Sequence, residues 1–175
     1  RLNILILVKQ CKQMNLVSPR LKMIKYSSSD LDYFCEIICN DEVMYHISGK
    51  GNSRKVAAEK FEGILKTNKE NDYYGVYKVV LKETEKVIGF AKIVSYEKDC
   101  LEIGYALLVP YWRKGYTLEM IKKMTSHCSE YFPDKKIMAI VNKGNIGSLK
   151  VLERCNYKEY HQKEFNGDKC VFLKY

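Results

Sequence analysis

V-P-Y-W-R-K-G-Y-T, residues 109–117, is the stretch that decides the fold. An apolar, strand-like run, L-E-I-G-Y-A-L-L (101–108), leads into it. An amphipathic pattern beginning L-E-M-I-K-K-M (118–124) leads out of it. Strand, short basic loop and helix start together present backbone N–H groups to an anion such as a diphosphate, because a helix N-terminus carries partial positive charge and unpaired donors. Gly115 lets the backbone approach a ligand with no Cβ in the way, and Arg113 and Lys114 add charge beside it. A plain strand-to-helix connection with a solvated basic pair is the competing reading. The glycine spacing matches neither G-x-G-x-x-G nor G-x-x-x-x-G-K-[ST].

About thirty residues on, I-M-A-I-V-N-K-G-N-I-G-S-L-K-V-L-E-R-C-N-Y-K-E-Y (137–160) reads as strand, polar turn, helix and strand. Asn142, Asn145 and Ser148 recur every three residues across that turn. The two segments together resemble the GNAT superfamily of acyl-CoA N-acyltransferases, in the branch with ribosomal-protein N-terminal acetyltransferases. The branch pattern W-G-x-G-Y-A-T-E stands here as W-R-K-G-Y-T-L-E (112–119), and N-x-x-N-x-x-S-x-x-x-x-E-K-x-G-F as N-K-G-N-I-G-S-L-K-V-L-E-R-C-N-Y (142–157). The opening R-L-K-M-I-K-Y-S-S-S-D-L (20–31) looks like that branch's first strand and helix cap. Three departures stand out: Arg113 replaces the first loop glycine, Thr117 replaces a small residue, and Asn156 replaces the glycine before Tyr157. Asn tolerates positive φ better than most residues.

The resemblance implies an α/β (α+β) GNAT fold, with a mixed central sheet of about six to seven strands splayed in the middle and about four helices. It implies acetyl-CoA as acyl donor and a primary amine, on a protein N-terminus or a small molecule, as acceptor. The backbone of Leu107 and Val109 would pair with the pantetheine arm, and Arg113, Lys114, Gly115, Tyr116 and Thr117 would hold the diphosphate. Asn142, Asn145 and Ser148 would complete the donor site. Many GNAT enzymes protonate the leaving thiolate with a Tyr at the position occupied here by Leu152. That Tyr is absent; Ser148, which matches the Ser this branch carries and lies one turn from Asn145, is by the resemblance the candidate donor to the sulfur, with an ordinary first-turn serine as its other reading.

Along 101–108 side chains alternate between two faces. Leu101, Ile103, Tyr105 and Leu107 share one; Glu102, Gly104, Ala106 and Leu108 share the other, where two small residues leave room for a thin ligand or for close helix packing. Acyl transfer needs a neutral amine. At pH 7 a lysine is neutral roughly once in 2,500 molecules, an α-amine roughly 10–15% of the time. Glu102, on the spacious face, is the candidate base, directly or through water. The alternative is a strand carboxylate paired with a lysine.

Composition bounds the rest. At 175 residues with 46% apolar content and 12% aromatics, the chain has the length and core of one globular domain, not a disordered segment. A formal charge of +9 suits a polyanionic acyl-CoA, but the lysines are scattered rather than clustered as nucleic-acid binding requires. An acyl-CoA-binding module without turnover is the alternative function. Seven cysteines without a C-x-x-C pair, and only three histidines, argue against a metal site and for buried thiols in a reducing cytoplasm. The apolar run 2–8 is too short to span a bilayer. Residues 1–13 read as a leader or added segment ahead of one domain at 14–175, monomeric or homodimeric.

Strands are predicted over 20–26, 74–81, 86–94, 100–108, 136–142, 156–164 and 169–174. Helices are predicted from a cap at Ser28, Ser29 or Asp30 through Ile38, from 54 to about 67, over 115–131 and over 145–154.

Overall fold

The computed structural model describes residues 14–165 and 167–175; residues 1–13 lie outside them. Eight strands form one sheet: β1 (Leu16–Val17), β2 (Leu21–Lys25), β3 (Gly75–Leu81), β4 (Lys86–Glu97), β5 (Cys100–Leu107), β6 (Lys136–Asn142), β7 (Lys158–Phe165) and β8 (Asp168–Lys174). The helices are α1 (Leu31–Ile38), α2 (Asp41–Ser48), α3 (Arg54–Glu70), α4 (Tyr116–Tyr131) and α5 (Ile146–Arg154). The strand order is β1-β2-β3-β4-β5-β6-β8-β7. Every neighbouring pair is antiparallel except β5 and β6, whose parallel pairing requires the crossover through α4.

That parallel pair is where the sheet splays. Register runs Cys100↔Lys136, Leu101↔Ile137, Glu102↔Met138 and then stops. β5 goes on to Leu107 against β4 (Gly89↔Leu107), while β6 goes on to Asn142 against β8 (Asn142↔Cys170).

The predicted alternation of β5 sorts its side chains into two cores. Leu101, Ile103 and Leu107 bury in one cluster with Met120, Ile121, Met124 and Cys128 of α4. Ala106 and Leu108 bury in the other with Phe34, Ile37 and Ile38 of α1 and Phe61 of α3. α1 has Asp30, one of the three expected cap residues, at its N-cap, after a 3₁₀ turn over Ser28–Asp30 that Ser27 opens. The Ser27 N–H and hydroxyl both donate to Asp30 Oδ2, at 2.8 and 2.7 Å. Asp30 is buried, which alone would raise its pKa. Lys78 at 2.6 Å and the two Ser27 donors outweigh burial and hold it below the ordinary carboxylate value.

The count of elements exceeds the expectation by one strand and one helix. β1 is two residues long, below what periodicity can register. α2 is capped by Asn40, whose side chain accepts from Val43 N–H at 3.0 Å, and carries Asp41 and Glu42 in its first turn. Only Val43 and Met44 of α2 are buried, so no apolar stripe at helical spacing marks it in the sequence. α3 runs to Glu70 and β4 to Glu97, both a few residues past their predicted ends.

Candidate active site

The donor loop begins where β5 ends. Val109–Tyr111 forms a single 3₁₀ turn. The Trp112 indole N–H donates to the Leu107 carbonyl at 2.6 Å, so that carbonyl has one lone pair left. Arg113 takes φ 59° and Gly115 φ 80°. Arg113 therefore adopts, where the resemblance expects glycine, a left-handed conformation that glycine takes without cost. α4 starts on Gly115, which offers no side-chain cap. The first helical bond is Glu119 N–H to Gly115 C=O at 3.2 Å, so the N–H groups of Tyr116, Thr117 and Leu118 have no acceptor within the helix.

A contact invisible in the local pattern fixes this loop. Arg20 donates from its backbone N–H to Glu119 Oε1 and from Nε to Oε2, both at 2.7 Å. Its Nη1 donates to the Lys114 carbonyl at 3.0 Å, and its guanidinium lies 4.4 Å above the Tyr116 ring. Ser18 Oγ adds a third donor to Glu119 at 2.7 Å. Burial pushes the Glu119 pKa up, but these donors and the Arg20 charge outweigh it and hold it below its ordinary value. Arg20 and Glu119 both stand in the quoted motifs; their partnership lies 99 positions apart in sequence.

Beyond the last β5–β6 pair opens a cleft of about 250 Å³. It brings together four of the predicted residues, Glu102, Asn142, Asn145 and Ser148. Leu107, Val109 and the loop 113–117 are not among its walls. Its far side is built by His46 and Ile47 of α2 and by Phe165 and Asp168 of the last hairpin.

Glu102 is not a free carboxylate. Lys92 Nζ sits 2.7 Å from Glu102 Oε1, with the lysine side chain one-third exposed and the carboxylate 13% exposed. The pair joins neighbouring strands diagonally, since Lys92 stands opposite Gly104 and Val94 opposite Glu102. The space expected beside Gly104 is filled by the Lys92 stem: a Cβ there would lie 2.5 Å from Lys92 Cε. The small residue thus makes room for the protein's own lysine, which corrects the reading of that position as an open ligand face.

The triplet spacing of Asn142, Asn145 and Ser148 turns out to close a turn on itself. Asn142 Oδ1 accepts from Gly144 N–H at 2.9 Å, and its carbonyl accepts from Asn145 N–H at 2.8 Å. Asn145 Oδ1 caps α5 by accepting from Ser148 N–H at 3.0 Å. The Asn145 amide nitrogen and the Ser148 hydroxyl take no part in this closure. Leu152 is fully buried in the core. Tyr157 is a core aromatic, as expected, its hydroxyl 2.7 Å from Thr125 Oγ1 and its pKa driven up by burial. Asn156 takes φ 65°, the conformation its glycine counterpart supplies without cost.

One cleft residue has no signal of its own in the sequence. Tyr105 lines the cleft with Ser148, and its hydroxyl is buried without a hydrogen-bond partner. Burial pushes its pKa up to about 12, eased by the nearby Ser148 hydroxyl, although no hydrogen bond of acceptable geometry joins the two among the described residues.

Among the described residues, no group of three or more His, Cys, Asp or Glu side chains could hold a metal ion, and six cysteines are free thiols. No described helix is long and apolar enough to cross a membrane. A second cavity, under the last hairpin between Tyr96, Lys136, Tyr160 and Lys174, contains none of the predicted site residues.

A mixed sheet parted at one parallel pair, with an uncapped helix N-terminus past the end of one parted strand, is the architecture that the sequence resemblance implies. The family model described as "Acetyltransferase (GNAT) domain" matches residues 20–158, so the chain belongs to the GNAT family and is an acetyl-CoA-dependent N-acetyltransferase. It is 23% identical over 146 residues to an uncharacterized N-acetyltransferase, p20, of Bacillus licheniformis, covering 82% of each chain. Among solved structures, an acetyltransferase from Agrobacterium tumefaciens superposes with TM-score 0.80 at 18% identity, over 100% of this chain and 98% of that one. The ribosomal L7/L12 alpha-N-protein acetyltransferase RimL in complex with coenzyme A gives 0.77 at 13%, over 93% and 97%. A ribosomal-protein-S5-alanine acetyltransferase from Vibrio fischeri gives 0.74 at 16%, over 93% and 96%.

Proposed function

We propose that this acetyltransferase uses the α-amine of a peptide or a small-molecule primary amine as acceptor, with Glu102 taking the amine proton. The observation that carries the reading is the cleft at the splay, which gathers Glu102 of β5, Asn142 of β6, and Asn145 and Ser148 at the start of α5. In this reading the free N–H groups of α4, with Arg113 and Lys114, hold the diphosphate of acetyl-CoA, and the Leu107 and Val109 backbone pairs with the pantetheine arm. Asn142 shapes the turn, and the Asn145 amide and Ser148 hydroxyl face the arm.

The Lys92–Glu102 pair bears on the acceptor. An incoming amine shares or displaces the Lys92 ammonium to reach the carboxylate. An α-amine, neutral roughly 10–15% of the time at pH 7, needs far less help from a base than a lysine amine does. Several structural neighbours bear names of protein N-terminal acetyltransferases, which favours the same class.

The test is turnover on a panel of peptide N-termini and small amines, with Glu102→Gln and Ser148→Ala compared. Glu102→Gln should slow turnover by about 10²–10⁴ while leaving acetyl-CoA affinity nearly unchanged. Ser148→Ala should cost less, about tenfold, because water can replace a hydroxyl donor. A silent Glu102→Gln beside a crippling Ser148→Ala would reverse the roles and mean the amine arrives neutral without a protein base.

A further inference from the structure

We propose that the Tyr105 hydroxyl, buried in the cleft beside Ser148 without a hydrogen-bond partner among the described residues, donates a hydrogen bond to the thioester sulfur and holds the thiolate as it leaves. This rests on the donor-site reading above and assigns it one more residue. Buried hydroxyls in folded proteins nearly always have a partner, and one left without it carries a desolvation cost. Tyr105 carries that cost in a cleft wall, next to a serine whose own hydroxyl is not needed by the helix cap. A ligand atom that accepts a hydrogen bond there would repay it.

The two faces of β5 divide the chemistry. Glu102 and Lys92 lie on the face of α1 and α3. Tyr105 packs against the opposite core, which also contains Leu152, where many family members carry a tyrosine. The hydroxyl missing from α5 is thus supplied to the same core from the strand.

In the transfer the amine nitrogen bonds the acyl carbon, the C–S bond breaks, and the electron pair stays on sulfur. The amine proton goes to Glu102. Tyr105 keeps its own proton: with its pKa pushed up to about 12, it does not surrender the proton to a thiolate whose acid has a pKa of about 8.5. It therefore acts as a fixed donor, and the thiolate takes a proton from solvent after release.

The experiment compares wild type with Tyr105→Phe, using coenzyme A and desulfo-coenzyme A, which lacks the sulfur. Without ligand, Tyr105→Phe should melt no lower than wild type, because it removes a hydroxyl that satisfies nothing. At pH 9, where the bound thiol ionises, its affinity for coenzyme A should fall about tenfold, with desulfo-coenzyme A bound as before. The thiolate absorbance of bound coenzyme A should titrate at higher pH in the variant, and kcat should fall more than KM rises. Equal loss for both ligands, or a lowered melting temperature without ligand, would make Tyr105 structural and overturn the proposal. If wild type binds neither ligand, the donor-site reading itself fails; if it binds both and Tyr105→Phe changes neither, only the tyrosine assignment fails.

Discussion

At the β5–α4 turn the helix starts on Gly115, and nothing in that turn satisfies the first N–H groups. At the β6–α5 turn Asn145 caps Ser148 and Asn142 folds back on Gly144. Both turns lead from a parted strand into a helix, and both carry a family motif. The first leaves its donors open and surrounds them with basic residues; the second closes them with its own side chains and turns Ser148 toward the cleft. A polar motif at a helix start can thus mean a waiting ligand or a satisfied cap. The difference lies in whether a side-chain oxygen already occupies the N–H groups.

Gly115→Val tests the open turn and should have the largest effect. Gly115 sits at φ 80°, and an added Cβ would lie 3.4 Å from Arg20 Nη2. The left-handed conformation costs a branched residue about 1–2 kcal/mol, and the loop would shift away from its present path. Thermal-shift titration should show wild type stabilised by acetyl-CoA, by about 2.7 kcal/mol at a hundred times Kd, and the variant not stabilised at the same concentration. An unchanged shift would mean the helix start is not the anion site.

Asn145→Ala tests the closed turn. Loss of an N-cap costs about 1 kcal/mol, so the urea midpoint should fall, and coenzyme A affinity should fall less than in Gly115→Val, because only the Asn145 amide nitrogen faces the arm. If affinity collapses and stability holds, Asn145 belongs to the ligand and the contrast between the turns disappears.

The smallest effect is expected at Arg113, which separates charge from conformation. Arg113→Gly should raise stability by up to about 1 kcal/mol relative to Arg113→Ala, because φ 59° suits only glycine without strain. Both variants should weaken coenzyme A binding alike, and the deficit should shrink in high salt. Equal stability of the two would show that the loop relaxes around residue 113.

Most of the architecture was legible because it is written in local periodicity. β5, α4, β6 and α5 fall within a residue or two of their predicted ends, and the face assignment of β5 holds because alternation is a property of any strand. What stayed hidden depends on partners distant in sequence. Lys92 reads as an ordinary strand lysine until β4 registers it opposite Gly104. Tyr105 reads as one more residue on a strand face until the fold buries its hydroxyl beside Ser148. Arg20 opens a quoted motif, yet no spacing rule links it to Glu119. The Asn142–Asn145–Ser148 triplet was visible, but whether its oxygens face a ligand or their own backbone is decided by turn geometry, which composition does not encode.

The Arg20–Glu119 clamp also has a consequence for the order of assembly. Local turns and hairpins can close early, but a contact spanning 99 positions forms only when the segment between β1 and β2 meets the first turn of α4. The loop at 113–117 draws its fixed shape from that late contact, through the Lys114 carbonyl and the Tyr116 ring. A nascent chain therefore fixes this loop only once the β1–β2 segment has docked against α4, so, on the proposed donor site, ligand binding would report completion of the fold, not merely formation of the segment that bears the motif.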